Sequence, residues 1–376
     1  MQRIALVTNK PTPYRIPVFE RLAQMPDVVL QVIFCSEREP NRLWDLPPMK
    51  FDHVFLREHF STKGQRYIHN NVDVLSALRR FAPDVVITTG FNPTQLYAFA
   101  YAVMTRAAHV TFTDGTLASE NSLGKLHRLV RRIVFSRTGA YVSASHGGQK
   151  LYESYRIPHE RCFKSCLAID NDRFAPEVGH AEKRFDFIFC GRIEAVKNPM
   201  FALNVAHETA RRLGRKTSIL FAGSGSEENN IKSIASLESE LVDIEFRGFA
   251  AQGELPALYQ SARVFLFPTL WDPWGVVVNE ACAAGLPVIA SPNAGTAHEL
   301  VRDGENGFVC ELDVGVWADK AALLLSDERE WQRQSSRSMA LVGEYSYDKA
   351  AHGLLDACRA AAMAAPPHGG RLAHDV

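Results

Sequence analysis

The chain of 376 residues is long enough for two ordinary domains, each with its own core. Its apolar share of 46% and charged share of 22% are those of a globular protein, and 42 basic against 42 acidic side chains leave no formal net charge. That balance speaks against a nucleic-acid binder working through a basic excess, and no uninterrupted apolar run reaches the roughly eighteen residues of a membrane-spanning helix.

From Met1 the chain runs directly into a strand pattern at 3–8, without the apolar core of a secretion signal, so a cytoplasmic protein is expected. Cys35, Cys162, Cys166, Cys190, Cys282, Cys310 and Cys358 are scattered and odd in number, which fits reduced thiols rather than a disulfide framework. Cys162 and Cys166 are the one close pair and are read as strand residues, not zinc ligands.

Residues 9–15 form a loop into a helix through Phe19 and Leu22. Strand-like runs at 28–35, 84–89, 109–113 and 139–143 alternate with helical patterns such as 66–81 and 94–106, the rhythm of a parallel sheet covered by helices. Ligands in such sheets sit beyond the carboxyl ends of the strands. The loops 9–15, 90–93 and 113–121 therefore supply the first candidates: Tyr14, Arg15, Asn92 and Asp114. Arg15 has the charge for a phosphate or anionic acceptor, and equally suits a surface position at a helix start. His109, at the other end of its strand, is assigned to structure.

Residues 125–137 spell a basic amphipathic helix, with Leu126, Leu129, Val130 and Ile133 at helical spacing among Lys125, Arg128, Arg131 and Arg132. Such a helix can rest on anionic lipid. A helix packed on the sheet with solvated arginines has the same sequence, and packing is the expectation. Asp170 and Asp172 spell D-x-D, but no metal site is expected there.

A strand at 186–190 leads into Gly191-Arg192, with Lys197 five residues after the arginine. Another at 217–222 ends in Gly223-Ser224-Gly225-Ser226 before a helix, a context in which backbone can approach a nucleotide. Residues 244–246 lead to Arg247-Gly248-Phe249. Then comes FLFPTLWDPWGVVVNEACAAGLPVIASPNAGTAHELVRDGENGFVC, Phe265 to Cys310. Asp272 lies in a loop, Gly275 and Val276 open a helix that stops at Gly285, and Glu280 stands eight residues after Asp272. A helix start of this kind can hold an anion, and a carboxylate further in can accept two hydrogen bonds from a sugar diol. Asn293, Gly295 and Thr296 read as a loop into a second helix.

The acid-x7-acid spacing, followed by E-A-x-A-x-G-x-P-V-I-A-S and N-G-F, resembles glycosyltransferase family 4, the retaining GT-B enzymes also called glycosyl transferases group 1. The resemblance implies an α/β GT-B fold of two Rossmann-like domains whose parallel sheets face across a cleft. Residues 1–172 would bind the acceptor, 173–184 would link, 185–345 would bind the nucleotide sugar, 346–363 would return as a helix to the first domain, and 364–376 would be a flexible tail. Glu280 matches the glutamate that holds the ribose. Arg192 and Lys197 match the pair that grips the diphosphate, where two fixed cations offset the charge developing on the leaving group. Gly275 and Val276 would offer amides to the diphosphate, Asp272 would meet the sugar, and Gly223, Gly225, Arg247 and Phe249 would lie along the nucleotide.

The chain departs from the family pattern at three places. Pro13-Tyr14-Arg15 replaces paired glycines, Asp272 replaces the usual glutamate, and Asp114 stands where many members have a histidine. Asp114 is thus a candidate contact to a sugar or acceptor hydroxyl, or a turn aspartate in Asp-Gly. The implied activity is transfer from a UDP- or GDP-sugar to a glycan or lipid-linked hydroxyl in bacterial cell-surface polysaccharide or glycolipid synthesis. No cofactor, essential metal or nucleic acid is implied, and contact with the inner membrane would run through the 125–137 helix. A nucleotide-sugar epimerase and an inactive nucleotide-sugar-binding partner protein are the rival readings.

Overall fold

Two all-parallel sheets organise the chain, which a computed structural model describes over residues 1–38, 46–63, 66–121, 123–176, 183–237 and 240–364. The first sheet runs Asp52–Phe55, Val28–Phe34, Gln2–Thr8, Val85–Thr88, Ala108–Thr113, Ala140–Ser143, Cys162–Lys164. The second runs Val242–Gly248, Thr217–Ala222, Phe185–Cys190, Ala262–Phe267, Val288–Ala290, Gly307–Val309. The central strands are continuous apolar runs, because helices cover both faces of a parallel sheet. Ile4 to Val7 and Val264 to Leu266 are fully buried.

The chain divides into two units. One comprises Met1–Leu167 with Tyr347–Val376, the other Ala168–Ser346. The helix Tyr347–Ala364 thus belongs to the first unit, where it buries Leu354, Leu355, Ala357 and Cys358 against the sheet and the helix Ile16–Ala23. Residues 365–376, which carry nearly all of the expected tail, and 177–182 of the expected linker lie outside the described residues.

Two expectations fail. The helix expected over 66–81 is only Val74–Phe81, while Arg66–His69 pairs antiparallel with Phe60–Lys63. The alternation of these short strands is too brief to distinguish from a helical pattern, and the Phe60–Tyr67 ring contact that favours their pairing is cross-strand. The helix expected after Thr296 is absent as well. The amides of Leu300 and Val301 both turn back to the Thr296 carbonyl, and His298 takes a left-handed φ of 59°, which a continuing helix does not allow.

The seven cysteines are all free thiols. Burial pushes Cys35, Cys190 and Cys282 up to about 12, so these thiols are poor nucleophiles. Among the described residues no helix is long and apolar enough to cross a membrane.

Candidate functional site

In each sheet the strand order reverses beside the strand that enters first, and ligands of open parallel sheets bind outside that reversal. In the second unit Phe185–Cys190 lies between Thr217–Ala222 and Ala262–Phe267. The loops leaving its carboxyl end and that of Ala262–Phe267 carry Arg192, Lys197 and Asp272. Lys197 Nζ donates to Asp272 Oδ2, and both side chains are largely buried. Asp272 Oδ1 accepts the Trp274 amide at 3.0 Å. The loops are also tied by backbone, since Leu270 N–H donates to the Val196 carbonyl at 2.8 Å. Arg192 is exposed and has no ion-pair partner among the described residues.

Gly275 takes a left-handed φ of 96°, and a Cβ there would lie 2.6 Å from the Phe267 ring. Only glycine suits both conditions, and without a side chain it cannot cap the helix Val276–Ala283. The Val278 amide turns back to the Gly275 carbonyl at 2.9 Å, the first turn, Val276 included, receives no side-chain cap from Gly275, and the helix dipole adds positive character there.

Glu280 lies one turn further in, 8% exposed, and its Oε2 accepts from the Tyr259 hydroxyl at 2.8 Å. Burial pushes its carboxyl up to about 7, against the opposing effects of the Tyr259 hydrogen bond and Arg173. Sequence reasoning missed Tyr259. Its only signal is a tyrosine in the short helix Leu255–Gln260, on a different element and 21 positions before its partner.

The remaining candidates of this unit are placed differently. A Cβ on Gly223 would lie 1.9 Å from the Gly191 carbonyl oxygen, and one on Gly225 2.2 Å from that of Ile193. These glycines are required by contact between neighbouring loops, a reason internal to the fold. Arg247 pairs with Glu254 at the surface, and Phe249 is 73% exposed. Asp170 accepts the Arg173 amide and so caps the short helix Asn171–Phe174. No group of three His, Cys, Asp or Glu side chains suited to a metal ion occurs among the described residues.

In the first unit the corresponding reversal lies between Gln2–Thr8 and Val85–Thr88. A pocket there is lined by Thr8, Asn9, Lys10, Tyr14, Arg15 and Asp114, among others. Arg15 is buried, and its guanidinium donates to Asp114 Oδ1 at 2.6 Å and to the carbonyls of Ser165 and Cys166, both at 3.2 Å, while stacking over Phe112. It is not the solvated helix-start residue that the sequence also allowed. Its charge is committed to holding Asp114, whose side chain is half exposed. Asn92 caps the helix Pro93–Thr105 and donates to Asn9 at 2.7 Å, so its amide is also committed. His109 is buried between Thr88 and Thr138, and burial lowers it to about 3, which makes it a neutral core histidine. Arg15→Ala removes the guanidinium donor from two buried carbonyls and from Asp114, which costs about 3 kcal/mol. Thermal unfolding should therefore shift down by roughly 5–10 °C, and an unchanged melting curve would remove Arg15 from this role.

The basic helix is Lys125–Phe135, and it is anchored by Val134, Phe135 and the Arg131–Glu120 ion pair. Leu126, Leu129 and Ile133 do not pack on the sheet; they are 71%, 54% and 55% exposed. The expected packed face is thus only part of the apolar set.

Residues 170–340 match the family described as glycosyl transferases group 1. The chain is 27% identical over 246 residues to D-inositol 3-phosphate glycosyltransferase of Nocardia farcinica, covering 61% of this chain and 54% of that protein. To glycogen synthase of Mycobacterium tuberculosis it is 31% identical over 161 residues, covering 43% and 37%. It therefore spans about half or less of the length of these curated relatives. The structure of HepE of Anabaena in complex with UDP superposes with a TM-score of 0.72 at 15% identity, covering 95% of this chain and 99% of that one, a likeness of fold. The second unit, matched almost end to end, thus carries the glycosyl transferases group 1 pattern, and the two α/β units with parallel sheets have the GT-B architecture.

Proposed function

We propose that the protein is a retaining, metal-independent glycosyltransferase of family 4 that moves a sugar from a UDP- or GDP-sugar to a hydroxyl of a glycan or lipid-linked acceptor. Bacterial surface polysaccharide or glycolipid synthesis is the proposed setting. The observation that carries the reading is the Lys197–Asp272 pair, with exposed Arg192 on the same loop as Lys197 and a helix start without a side-chain cap, at the strand-order reversal of the second unit. One held cation, a second on the same loop and a helix start without a side-chain cap suit a diphosphate leaving group, whose negative charge grows as the glycosidic bond opens. They supply that charge from the chain itself, which is the basis for proposing that no metal is needed. Glu280 would take the ribose diol, Asp272 the sugar, and Asp114 an acceptor or sugar hydroxyl. The leaving phosphate would accept the acceptor proton on the same face. UDP stands in the Anabaena structure, so UDP-sugars lead the panel of donors.

A thermal-shift screen of UDP- and GDP-sugars tests the reading, because a ligand that prefers the native state raises its stability by mass action. A shift with one donor, lost in Glu280→Ala, is the expected result. No shift in folded protein would sink the donor site. A changed sugar nucleotide without acceptor would favour an epimerase, and binding without turnover an inactive partner. Turnover that disappears with chelator and returns with a divalent cation would overturn metal independence.

We also infer that the protein works at the cytoplasmic face of a membrane, through the helix Lys125–Phe135. Leu126, Leu129 and Ile133 form an outward apolar stripe, and residues 125–137 contain no acid. An apolar stripe beside basic residues is the composition of an interfacial helix on anionic lipid. Pelleting with vesicles containing phosphatidylglycerol, but not with phosphatidylcholine alone, is expected. Serine at all three apolar positions should lower the bound fraction by about fivefold or more. Equal pelleting of that variant would remove the helix from this role.

A further inference from the structure

We propose that Tyr259 is a positioning residue that presents the Glu280 carboxylate to the donor ribose, an inference that rests on the donor-site reading above. The two side chains come from different helices, Leu255–Gln260 and Val276–Ala283, and meet in the interior. Tyr259 is fully buried, and its ring lies against Phe174 and Phe265 at centroid distances of 5.9 and 5.8 Å, with interplanar angles of 66° and 60°. Those contacts fix the ring and so fix where its hydroxyl points. The hydroxyl donates to Glu280 Oε2 at 2.8 Å, and among the described residues Tyr259 is the one side chain that donates to this carboxylate. One oxygen is thereby held in place while Oε1 is left for a ligand.

The hydroxyl also acts on charge. Glu280 is buried, and the groups facing it are Tyr259, the Cys190 thiol and the more distant Arg173. Of these, the Tyr259 hydrogen bond is the leading influence favouring the ionised form. A ribose diol has two hydroxyl donors, and a carboxylate accepts both, whereas a protonated carboxyl has lost an acceptor and gained a donor. Removing the hydroxyl leaves the carboxyl to hold its proton to higher pH. Binding that needs the anion should then be weakest at low pH and recover as pH rises.

The test is calorimetric titration with UDP and with GDP, at pH 6.5 and pH 9, of the full chain, Tyr259→Phe, Glu280→Gln and the double variant. Phenylalanine keeps the ring and removes only the hydroxyl. The expected result is binding about tenfold weaker in Y259F at pH 6.5, narrowing to within about twofold at pH 9. In the Glu280→Gln background the same substitution should leave the pH dependence unchanged. Glu280→Gln also reports the pH dependence that belongs to the nucleotide's own phosphate. Affinities of Y259F equal to those of the parent, or weakened equally at both pH values, would overturn the proposal, since a purely structural tyrosine predicts no pH-specific loss. Should Y259F fail to fold, folding of the double variant would support the coupling, because glutamine needs no partner for a charge. Failure of both would make Tyr259 structural only. If the parent binds neither nucleotide, the donor-site reading falls and this proposal with it. If the parent binds, E280Q binds weakly and Y259F is unaltered, the positioning role alone falls.

Discussion

Lys197→Ala is expected to lower turnover by about 100-fold or more, with a much smaller change in affinity for the bare nucleoside diphosphate. Removing one preorganised charge-stabilising group in an enclosed site costs about 2.7–4 kcal/mol of transition-state stabilisation. Lys197 fits that description because its loop is tied to the facing loop by the Leu270–Val196 hydrogen bond, and its ammonium is held by Asp272. In the proposed reaction the negative charge it would offset is largest when the glycosidic bond is broken, so the loss should fall on kcat more than on donor binding. Lys197→Arg keeps the charge but not the compact ammonium, and is expected to recover only part of the rate. Steady-state release of nucleoside diphosphate, with separate titration of the product nucleotide, separates the two quantities. Full turnover in the alanine variant would take Lys197 out of the reaction.

The second large effect belongs to Glu280, and it has opposite signs for binding and for stability. Glu280→Gln should weaken nucleotide binding by about tenfold to 100-fold at pH 8, through loss of a charge-assisted acceptor for the ribose diol. The unliganded variant should nevertheless be more stable than the parent at that pH. Burial raises the Glu280 carboxyl from its ordinary value of 4.5 to about 7, so between those values the folded chain holds the proton more tightly than the unfolded chain. Stability contributed by this group is therefore present below pH 4.5 and declines as pH rises through about 7. Glutamine carries no charge to bury, still accepts from Tyr259, and removes that decline. Differential scanning calorimetry at pH 5 and pH 8 reads the sign directly. A variant less stable than the parent at pH 8 would show that the ionised carboxylate stabilises the fold instead. Retaining a destabilising buried acid is the stability–activity trade-off expected of a ligand-binding group.

These two residues also show where sequence reading reaches its limit. The strand-and-helix rhythm, the chemistry of the loops and the match at Glu280 are local, and local features are written in residue order. Lys197 and Asp272 could be named separately, but they are 75 positions apart, and only the strand order of the second sheet sets their loops side by side. Arg15 read equally as an anion contact or a surface residue. Its pairing with Asp114, 99 positions away, arises because the strands ending near each residue lie close in one sheet, and it turns the arginine into a support. The antiparallel pair Phe60–Lys63 and Arg66–His69 is not legible in the sequence because a four-residue strand offers too few periods, whereas cross-strand pairing decides the matter at once.

By itself, then, the sequence determined a two-domain α/β chain, its family resemblance and the residue types available at the ends of the strands. The tertiary structure alone decided which charges meet, that Glu280 is buried against Tyr259, and that Leu126, Leu129 and Ile133 face outward. The physical reason is common to all three. Hydrophobic periodicity specifies that a helix has an apolar stripe, but desolvation, pairing and exposure depend on what the rest of the chain places opposite it.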